Sequence, residues 1–287
     1  MPLINYPACP GAGPASKKYQ FAEPPALWVG PQSPARDRRT LAERLLEGAE
    51  RCREDVSTGG GGVTLTVDED LRPVRRVMTG RRDIPTGTFS SKKCGRSHQY
   101  EGMNERATAG FMEGDPGVIA FAAQPVSFHG RIGGRPVKYT PDFSALLTDG
   151  RLRILEAKTD RGSIRNPKDV RKLEMAREAC GALGWEFVLV EGVSLRASNV
   201  FTENLAFVAA RCDTAVPTAL AMVVRQRLQH RGGSVELGEL IDLCGPGPMG
   251  LDRVCALFLR RTLVIDLRYP LDIDSKVECS TACGGWQ

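Results

Sequence analysis

The feature that most constrains this 287-residue chain is an Asp-Gly dipeptide between two apolar runs. Asp149-Gly150 follows the run 137–147 and precedes the run 152–158. Asp-Gly between apolar runs is a strong signal for a β-hairpin, because both residues tolerate the backbone conformation of a tight turn. We therefore predict two antiparallel strands over 137–147 and 152–158, and a sheet that includes both.

The patterns on either side of the hairpin predict an α/β domain. A helix is expected over 100–114, and a second from Asn166-Pro167 to about residue 182, with Asn as the N-cap and Pro in the first turn. Further strands are expected at 118–121, 125–129 and 185–191. An order of helix, strands, helix and strand predicts an α/β fold with a mixed sheet flanked by helices.

Residues 71–197 are assigned to this α/β domain, and two further regions flank it. Residues 1–70 begin with a Pro- and Gly-rich stretch and are predicted to be a partly flexible N-terminal arm and linker. Within them, Thr40 and Glu43 have the spacing of a capping box and predict a helix to about residue 53.

Residues 198–287 have the order of a winged-helix-like domain, a shape that serves DNA binding or protein docking. Short helices are predicted at 201–212, 217–230, 235–244 and 249–260, with a β-ribbon from residue 261. Ser234 is the predicted N-cap of the third helix.

Positive charge is concentrated near the start of the chain. The whole sequence has 39 Lys+Arg, 34 Asp+Glu and a net charge of +5, yet Arg72 to Arg96 holds eight basic residues and one acid, Asp83. Such a segment can follow a phosphate backbone, although a solvated arm with no specific partner has the same composition. The DNA-binding candidates are Arg75, Arg76, Arg81, Arg82, Lys92, Lys93, Arg96 and His98.

Composition excludes several other classes of protein. A hydrophobic fraction of 41% is sufficient for a core, which excludes a wholly disordered chain. No apolar run reaches the roughly 18 residues of a membrane span, so no membrane partner is expected. The 9 cysteines include no CxxC pair and predict reduced thiols in the cytoplasm. With 3 His, and with Cys279 and Cys283 lacking two further nearby ligands, a zinc site is not expected.

The candidate catalytic residues lie on the predicted hairpin. Side chains alternate along a strand, so Glu156 and Lys158 project from the same face. The Asp149-Gly150 turn pairs the neighbourhood of Asp142 with theirs, which brings two carboxylates and an ammonium onto one patch of sheet. Glu105, on a polar face of the preceding helix, is a candidate fourth member of this group.

Hydrolysis of a phosphodiester uses such a set of groups. Carboxylates hold one or two Mg²⁺ ions, for which Mn²⁺ substitutes, because hard cations prefer oxygen ligands. The cation activates a water molecule and stabilises charge on the phosphate, while a lysine orients the water or neutralises developing charge. We expect Glu105, Asp142 and Glu156 to bind the metal, although a surface hairpin with an ordinary Glu–Lys pair has the same spacing.

Six short motifs resemble, in order and spacing, the TnsA family, the endonuclease subunits of heteromeric cut-and-paste transposases, which have a PD-(D/E)xK nuclease fold. The motifs lie at 87–96, 100–105, 115–118, 124–125, 139–143 and 156–158. The resemblance covers about residues 85–190. One departure is Gly102, because many relatives have serine after the glutamate at this helix start.

The resemblance implies a function, a set of site residues and several partners. The matching active-site positions are Glu105, Asp142, Glu156 and Lys158, and the implied reaction is Mg²⁺-dependent cleavage of double-stranded DNA at the 5′ side of transposon ends. A DDE-type transposase, TnsB, would make the 3′ cuts, and an AAA+ regulator, TnsC, would engage the C-terminal domain. The expected location is cytoplasmic and nucleoid-associated, in a bacterium.

Two alternatives to this function remain open. The chain could be a stand-alone PD-(D/E)xK restriction or phage nuclease, which a basic recognition helix in the C-terminal domain would favour. It could also be a catalytically silent DNA-binding or scaffolding subunit. The complete set of three carboxylates and a lysine argues against a silent subunit.

Overall fold

The computed structural model of this protein describes residues 24–32, 39–57, 62–75 and 84–280. The predicted positions Arg76, Arg81, Arg82 and Cys283 lie outside these ranges. Within them, no helix is both long enough and apolar enough to cross a membrane.

The chain divides into two compact units, which are described separately. The first, here called the α/β unit, consists of Pro34–Met112 and Gly117–Leu195. The second, here called the C-terminal unit, consists of Met1–Ser33, Glu113–Pro116 and Arg196–Gln287.

The α/β unit has the helices and strands of a mixed α/β fold, so the predicted fold class is confirmed at that level. Its helices are α1 (Leu41–Ser57), α2 (Met103–Gly114, the last two residues of which belong to the C-terminal unit), α3 (Pro167–Leu183) and α4 (Gly192–Leu195). Its strands are β1 (Thr64–Val67), β2 (Thr86–Ser91), β3 (Arg96–Glu101), β4 (Val118–Ala123), β5 (Val126–Ile132), β6 (Arg135–Tyr139), β7 (Phe143–Leu147), β8 (Leu152–Lys158) and β9 (Glu186–Glu191).

These strands form three sheets. The four-stranded sheet has the order β4-β7-β8-β9, with antiparallel pairs up to β8 and a parallel pair between β8 and β9. Strands β1, β5 and β6 form a second sheet, and β2 pairs with β3 in a hairpin. The parallel pair requires a crossover, which α3 supplies.

The predicted hairpin turn is confirmed. Gly150 has a φ of 84°, a left-handed conformation that glycine adopts without steric cost. The backbone N–H of Leu147 donates to the carbonyl of Arg151 at 2.9 Å, which closes the turn. The resulting register places Phe143 opposite Leu155.

The strand predicted over 137–147 is two strands in the structure. The first ends at Tyr139 and pairs with β5, whereas the second begins at Phe143 and lies between β4 and β8. Pro141 separates them because proline has no N–H to donate to a ladder. The break moves the chain from one sheet to the other and leaves Asp142 at the entrance of β7.

Helix α1 and strand β1 belong to the core of the α/β unit, although residues 1–70 are predicted to be an arm and linker. Leu45 of α1 and Leu65 of β1 are buried in one cluster with residues of α3 and the sheets. An amphipathic helix must bury its apolar face, and here the sheet provides the surface. The predicted capping box is present, with the N–H of Thr40 donating to Glu43 Oε2 at 2.6 Å.

Helix α3 has the predicted start. Asn166 caps it by accepting from the N–H of Lys168 at 2.9 Å, and Pro167 occupies the first turn. The helix ends at Gly184, which has a φ of 73°. Its buried face packs over the four-stranded sheet, because Ala176 and Ile154 share one core cluster.

The C-terminal unit is built from helices and a small sheet. Its elements are α5 (Val200–Ala209), α6 (Thr218–His230), β10 (Ser234–Glu236), α7 (Leu237–Cys244), α8 (Pro248–Leu259), β11 (Leu263–Ile265) and β12 (Lys276–Cys279). The sheet order is β10-β12-β11, and both pairs are antiparallel.

Two details of the C-terminal unit differ from the predictions. Ser234 pairs with Glu278 in the sheet and therefore does not cap α7, which begins after Glu236 without a side-chain cap bond. Part of the predicted arm also packs here, since Trp28 stacks edge-on against Phe201 at 4.9 Å.

Candidate active site

Asp142 is held at the edge of the four-stranded sheet by the neighbouring strand. Its Oδ2 accepts a hydrogen bond of 2.8 Å from the backbone N–H of Ala157. The register of β7 against β8 places it beside Glu156, on the same face of the sheet. Its side chain is buried.

Glu156 lies between two partners that take both of its oxygens. Lys158 Nζ is 2.6 Å from Oε1, and the Tyr139 hydroxyl donates to Oε2 at 2.6 Å. Glu156 and Tyr139 are both buried, whereas the Lys158 side chain is 36% exposed. Lys158 therefore lies on the solvent-facing side of the site, and its ammonium contacts the buried carboxylate of Glu156.

Glu105 reaches the same group from the first turn of α2. Gly102 precedes that helix with a φ of 101°, which turns the chain sharply out of β3. The backbone N–H of Glu101 donates to Glu105 Oε2 at 2.8 Å and fixes the direction of the buried side chain. The structure thus brings all four predicted catalytic residues together.

Burial and neighbouring charges raise the pKa of two of the three carboxylates, Asp142 and Glu105. Burial raises the pKa of Asp142 well above its ordinary value, and the charges of Glu156 and Glu105 raise it further. Burial also raises the pKa of Glu105 to about 7, although the Glu101 N–H and the Arg75 charge oppose this change. Burial lowers the pKa of Lys158, but Glu156 and Asp142 outweigh that effect and the net change is upward.

The donor chemistry of this cluster fits a hard divalent cation. Three buried carboxylates stand against one neighbouring ammonium, and carboxylate oxygens are the ligands that Mg²⁺ prefers. As the side chains stand, no three His, Cys, Asp or Glu residues in the described ranges form a group able to hold a metal. Their oxygens are instead engaged by Tyr139, Lys158 and two backbone N–H groups.

Gln124, from one of the six motifs, and Arg75, a predicted DNA-binding residue, border the site. Gln124 is buried with a φ of 49°, a strained conformation for a residue other than glycine. Its N–H donates to the carbonyl of Asp142 at 2.9 Å, and its Oε1 accepts from Arg75 Nε at 2.8 Å. Arg75 also donates to Glu101 at 3.3 Å, so it links Gln124 to the start of α2.

Several predicted DNA-binding cations have partners inside the α/β unit. Lys93 Nζ donates to the carbonyl of Met112 at 2.6 Å, and Arg96 donates to the carbonyl of Asp70 at 2.6 Å. Lys92 is exposed at the turn between β2 and β3. Residues 86–101 of this basic segment therefore form a β-hairpin in the structure, not a solvated arm.

His98 is a correction to the predicted DNA-binding set. It is 4% exposed and packs against Phe121 with a ring separation of 4.7 Å. Burial, assisted by the charge of Arg96, lowers its pKa to about 4, so the side chain is neutral at physiological pH. A buried neutral imidazole does not present a positive charge to a phosphate.

Tyr139 contacts the candidate site through Glu156, and no sequence pattern predicted this contact. The motif 139–143 contains Tyr139, but only the pairing of β6 with β5 brings its hydroxyl to Glu156. Its position two residues before a proline-aspartate pair was the available signal. No sequence periodicity connects it to Glu156, because the two residues lie on strands of different sheets.

Comparison with known proteins leaves the family open. No family model and no curated protein matches the chain. A crystal structure of protein VC1899 from Vibrio cholerae is similar, with 13% sequence identity and a TM-score of 0.20, over 58% of this chain and 50% of that chain. This chain therefore spans half the length of that protein. At such a TM-score the likeness supports no argument about fold or activity.

Proposed function

We propose that this protein is a Mg²⁺-dependent DNA endonuclease with a PD-(D/E)xK-type core. The observation that carries the proposal is the convergence of Glu105, Asp142, Glu156 and Lys158 on one edge of the sheet. Asp142 and Glu156 share a face, and Lys158 contacts Glu156 at 2.6 Å. An ordinary surface Glu–Lys pair would not include two further buried carboxylates.

The sheet order supports the same proposal. The site residues lie at one end of β7 and β8, the central strands of a four-stranded mixed sheet, with α2 before and α3 after them. Central strands are held on both sides and position side chains more rigidly than loops do. Counted over this sheet alone, the chain order is α2, β4, β7, β8, α3 and β9, with β5 and β6 inserted between β4 and β7. We take this order as support for a PD-(D/E)xK-type core.

In this mechanism, Glu105, Asp142 and Glu156 would bind the cation, with Mn²⁺ as a substitute. When bound, the cation supplies Lewis acidity and an activated water for phosphodiester hydrolysis. Lys158, partly exposed, would orient the attacking water or neutralise charge that develops on the phosphate. Tyr139 would hold Glu156 in one orientation through its hydroxyl.

The biological setting is proposed from the sequence resemblance to the TnsA family. We infer cleavage at the 5′ side of transposon ends, with a TnsB-type transposase making the other cuts. The C-terminal unit, as a winged-helix-like module, would dock a TnsC-type AAA+ regulator. A stand-alone restriction or phage nuclease remains the second candidate, and the site would serve it equally well.

A nicking assay tests the proposed chemistry. Full-length protein is incubated with DNA carrying transposon ends, with Mg²⁺ or Mn²⁺, in the presence and absence of the partner transposase. Asp142→Ala should abolish cleavage without loss of fold. Glu186→Gln is the matched control, because Glu186 is a carboxylate of the same sheet that pairs with Arg151 and Arg153 away from the site. Wild-type cleavage by Asp142→Ala would refute the assignment.

A further inference from the structure

A basic segment that the sequence analysis did not single out begins at the candidate catalytic lysine. From Lys158 to Lys172 the sequence contains six basic residues and two acidic residues. The segment passes from the end of β8, through a 3₁₀ turn at Arg161–Ser163, into the first turns of α3. Most of the residues after Lys158 are exposed. This density of positive charge so close to the site requires a functional explanation.

The fold places the segment on the same side of the sheet as the catalytic residues. Leu152 and Ile154 share a face of β8 with Glu156 and Lys158, because side chains alternate along a strand. Both pack in one core cluster with Ala176 of α3, so α3 covers that face. Because β8 and β9 are parallel, the intervening helix runs back along the sheet and starts at the Lys158 end.

The first turns of α3 contain one acidic residue, Asp169. Lys172 pairs with this same Asp169 at 3.1 Å. The one acidic residue of these turns therefore already has a cationic partner, and the other cations of the helix start are left for a different anion.

Lys168 and Arg171 are exposed cations of this segment whose side chains have no partner among the described residues. The amino-terminal end of a helix adds partial positive charge at the same place. In contrast, Lys93 and Arg96 of the predicted DNA-binding set donate to backbone carbonyls.

We propose that Lys168 and Arg171, on the first turns of α3, bind the phosphate backbone of DNA next to the bond that is cut. This inference rests on the proposed nuclease function, which makes DNA the polyanion at this edge. Charge complementarity and continuity with the catalytic residues both favour the backbone of the substrate strand. Contacts of this kind position DNA and carry no sequence information.

Binding of full-length protein to a labelled DNA duplex, without divalent metal, tests the proposal. Affinity is measured by fluorescence anisotropy from about 50 to about 200 mM salt. The slope of log K against log salt is negative, and each lost phosphate contact reduces its magnitude by about 0.9. The double variant Lys168→Gln/Arg171→Gln should therefore have a slope about 2 smaller in magnitude than the wild type. Binding near physiological salt should weaken at least about tenfold.

Arg135→Gln is the matched control, because Arg135 is an exposed cation of the same unit on β6, in a different sheet. The melting temperature of each variant establishes that the fold is retained. If the double variant has the slope and affinity of the Arg135→Gln control, the α3 surface does not bind DNA and the inference is wrong.

The nicking assay on the same proteins separates this inference from the proposed function. Metal-dependent cleavage by the wild type, together with unchanged binding by the double variant, would overturn the α3 surface alone. The opposite outcome is a wild type that binds DNA through Lys168 and Arg171 but does not cleave it, even with the partner transposase. That outcome would support the DNA-binding surface on α3 and overturn the proposed nuclease activity.

Discussion

The Tyr139 hydroxyl donates a 2.6 Å hydrogen bond to Glu156, and both side chains are buried. Burial and the Glu156 charge raise the pKa of Tyr139 well above its ordinary value, so the phenol keeps its proton and remains a donor. The contact joins a strand of the β1-β5-β6 sheet to a catalytic candidate on the four-stranded sheet. It orients one carboxylate of a cluster in which like charges repel.

Tyr139→Phe should impair both stability and catalysis. The variant keeps the ring but leaves a buried carboxylate oxygen without its donor, which costs about 1–3 kcal/mol. We expect the free energy of unfolding, measured by urea denaturation, to fall by about that amount. The cleavage rate should fall about 10- to 100-fold, because a loss of about the same free energy in the transition state corresponds to such a factor. Tyr269→Phe, at an exposed tyrosine, is the control and should change neither quantity.

Glu105→Gln should make the metal-free protein more stable while it abolishes cleavage. Burial and neighbouring carboxylates raise the pKa of Glu105 to about 7, so ionisation of this group at higher pH opposes folding. The neutral amide retains an acceptor for the Glu101 N–H and removes the charge. We expect a gain of roughly 1 kcal/mol at pH 8 in thermal or urea denaturation. A loss of stability relative to the exposed control Glu174→Gln would contradict this explanation.

Mg²⁺ should raise the melting temperature of the wild-type protein. A cation that binds the folded state stabilises it by mass action, and it also relieves the repulsion among Glu105, Asp142 and Glu156. Differential scanning fluorimetry with MgCl₂, followed by EDTA, measures the shift and its reversal. The shift should disappear in Asp142→Asn, and a NaCl series at equal ionic strength controls for screening. An equal shift in Asp142→Asn would place the cation elsewhere.

His98 should make stability depend on pH in the acid range. Its pKa is lowered from 6.5 to about 4 by burial and by the Arg96 charge. Between these values the unfolded chain binds a proton that the folded protein excludes, so the free energy of unfolding falls as the pH falls. The neutral His98 side chain contributes about 3 kcal/mol to the free energy of unfolding above pH 6.5, and this contribution is lost by about pH 4.

Urea denaturation of His98→Gln across this pH range tests the assignment. The variant should lack the part of the pH dependence that arises from the imidazole. His230→Gln, at an exposed histidine, should keep the wild-type pH dependence. Identical curves for wild type and His98→Gln would show that His98 does not exclude the proton.

The local elements of the α/β unit were predictable from the sequence. Asp149-Gly150 determines a hairpin because few dipeptides adopt that turn so readily. Asn166-Pro167 determines the start of α3, since the cap and the proline act within one turn of chain. Alternation then placed Glu156 and Lys158 on one face of β8, and the structure has them 2.6 Å apart.

The sequence alone was less informative where a residue has two compatible roles. Ser234 is a good helix cap, but in the structure it pairs with Glu278 in a sheet whose other strands come from later in the chain. His98 follows a run of cations and looked like a surface contact, yet its strand turns it towards Phe121. In both cases a partner distant in sequence decided the outcome.

The sequence by itself therefore determined the turn, the caps of α1 and α3, and the pairing of Asp142 with the Glu156 strand, all of which depend on neighbours or on strand alternation. Only the tertiary structure decided that Tyr139 contacts Glu156, that Gln124 is strained beside Asp142, and that α3 begins at the same end of β8 as the candidate site. These relationships arise where separate sheets and a crossover helix meet. Packing of distant apolar surfaces brings such elements together, and local sequence patterns do not record which surfaces those are.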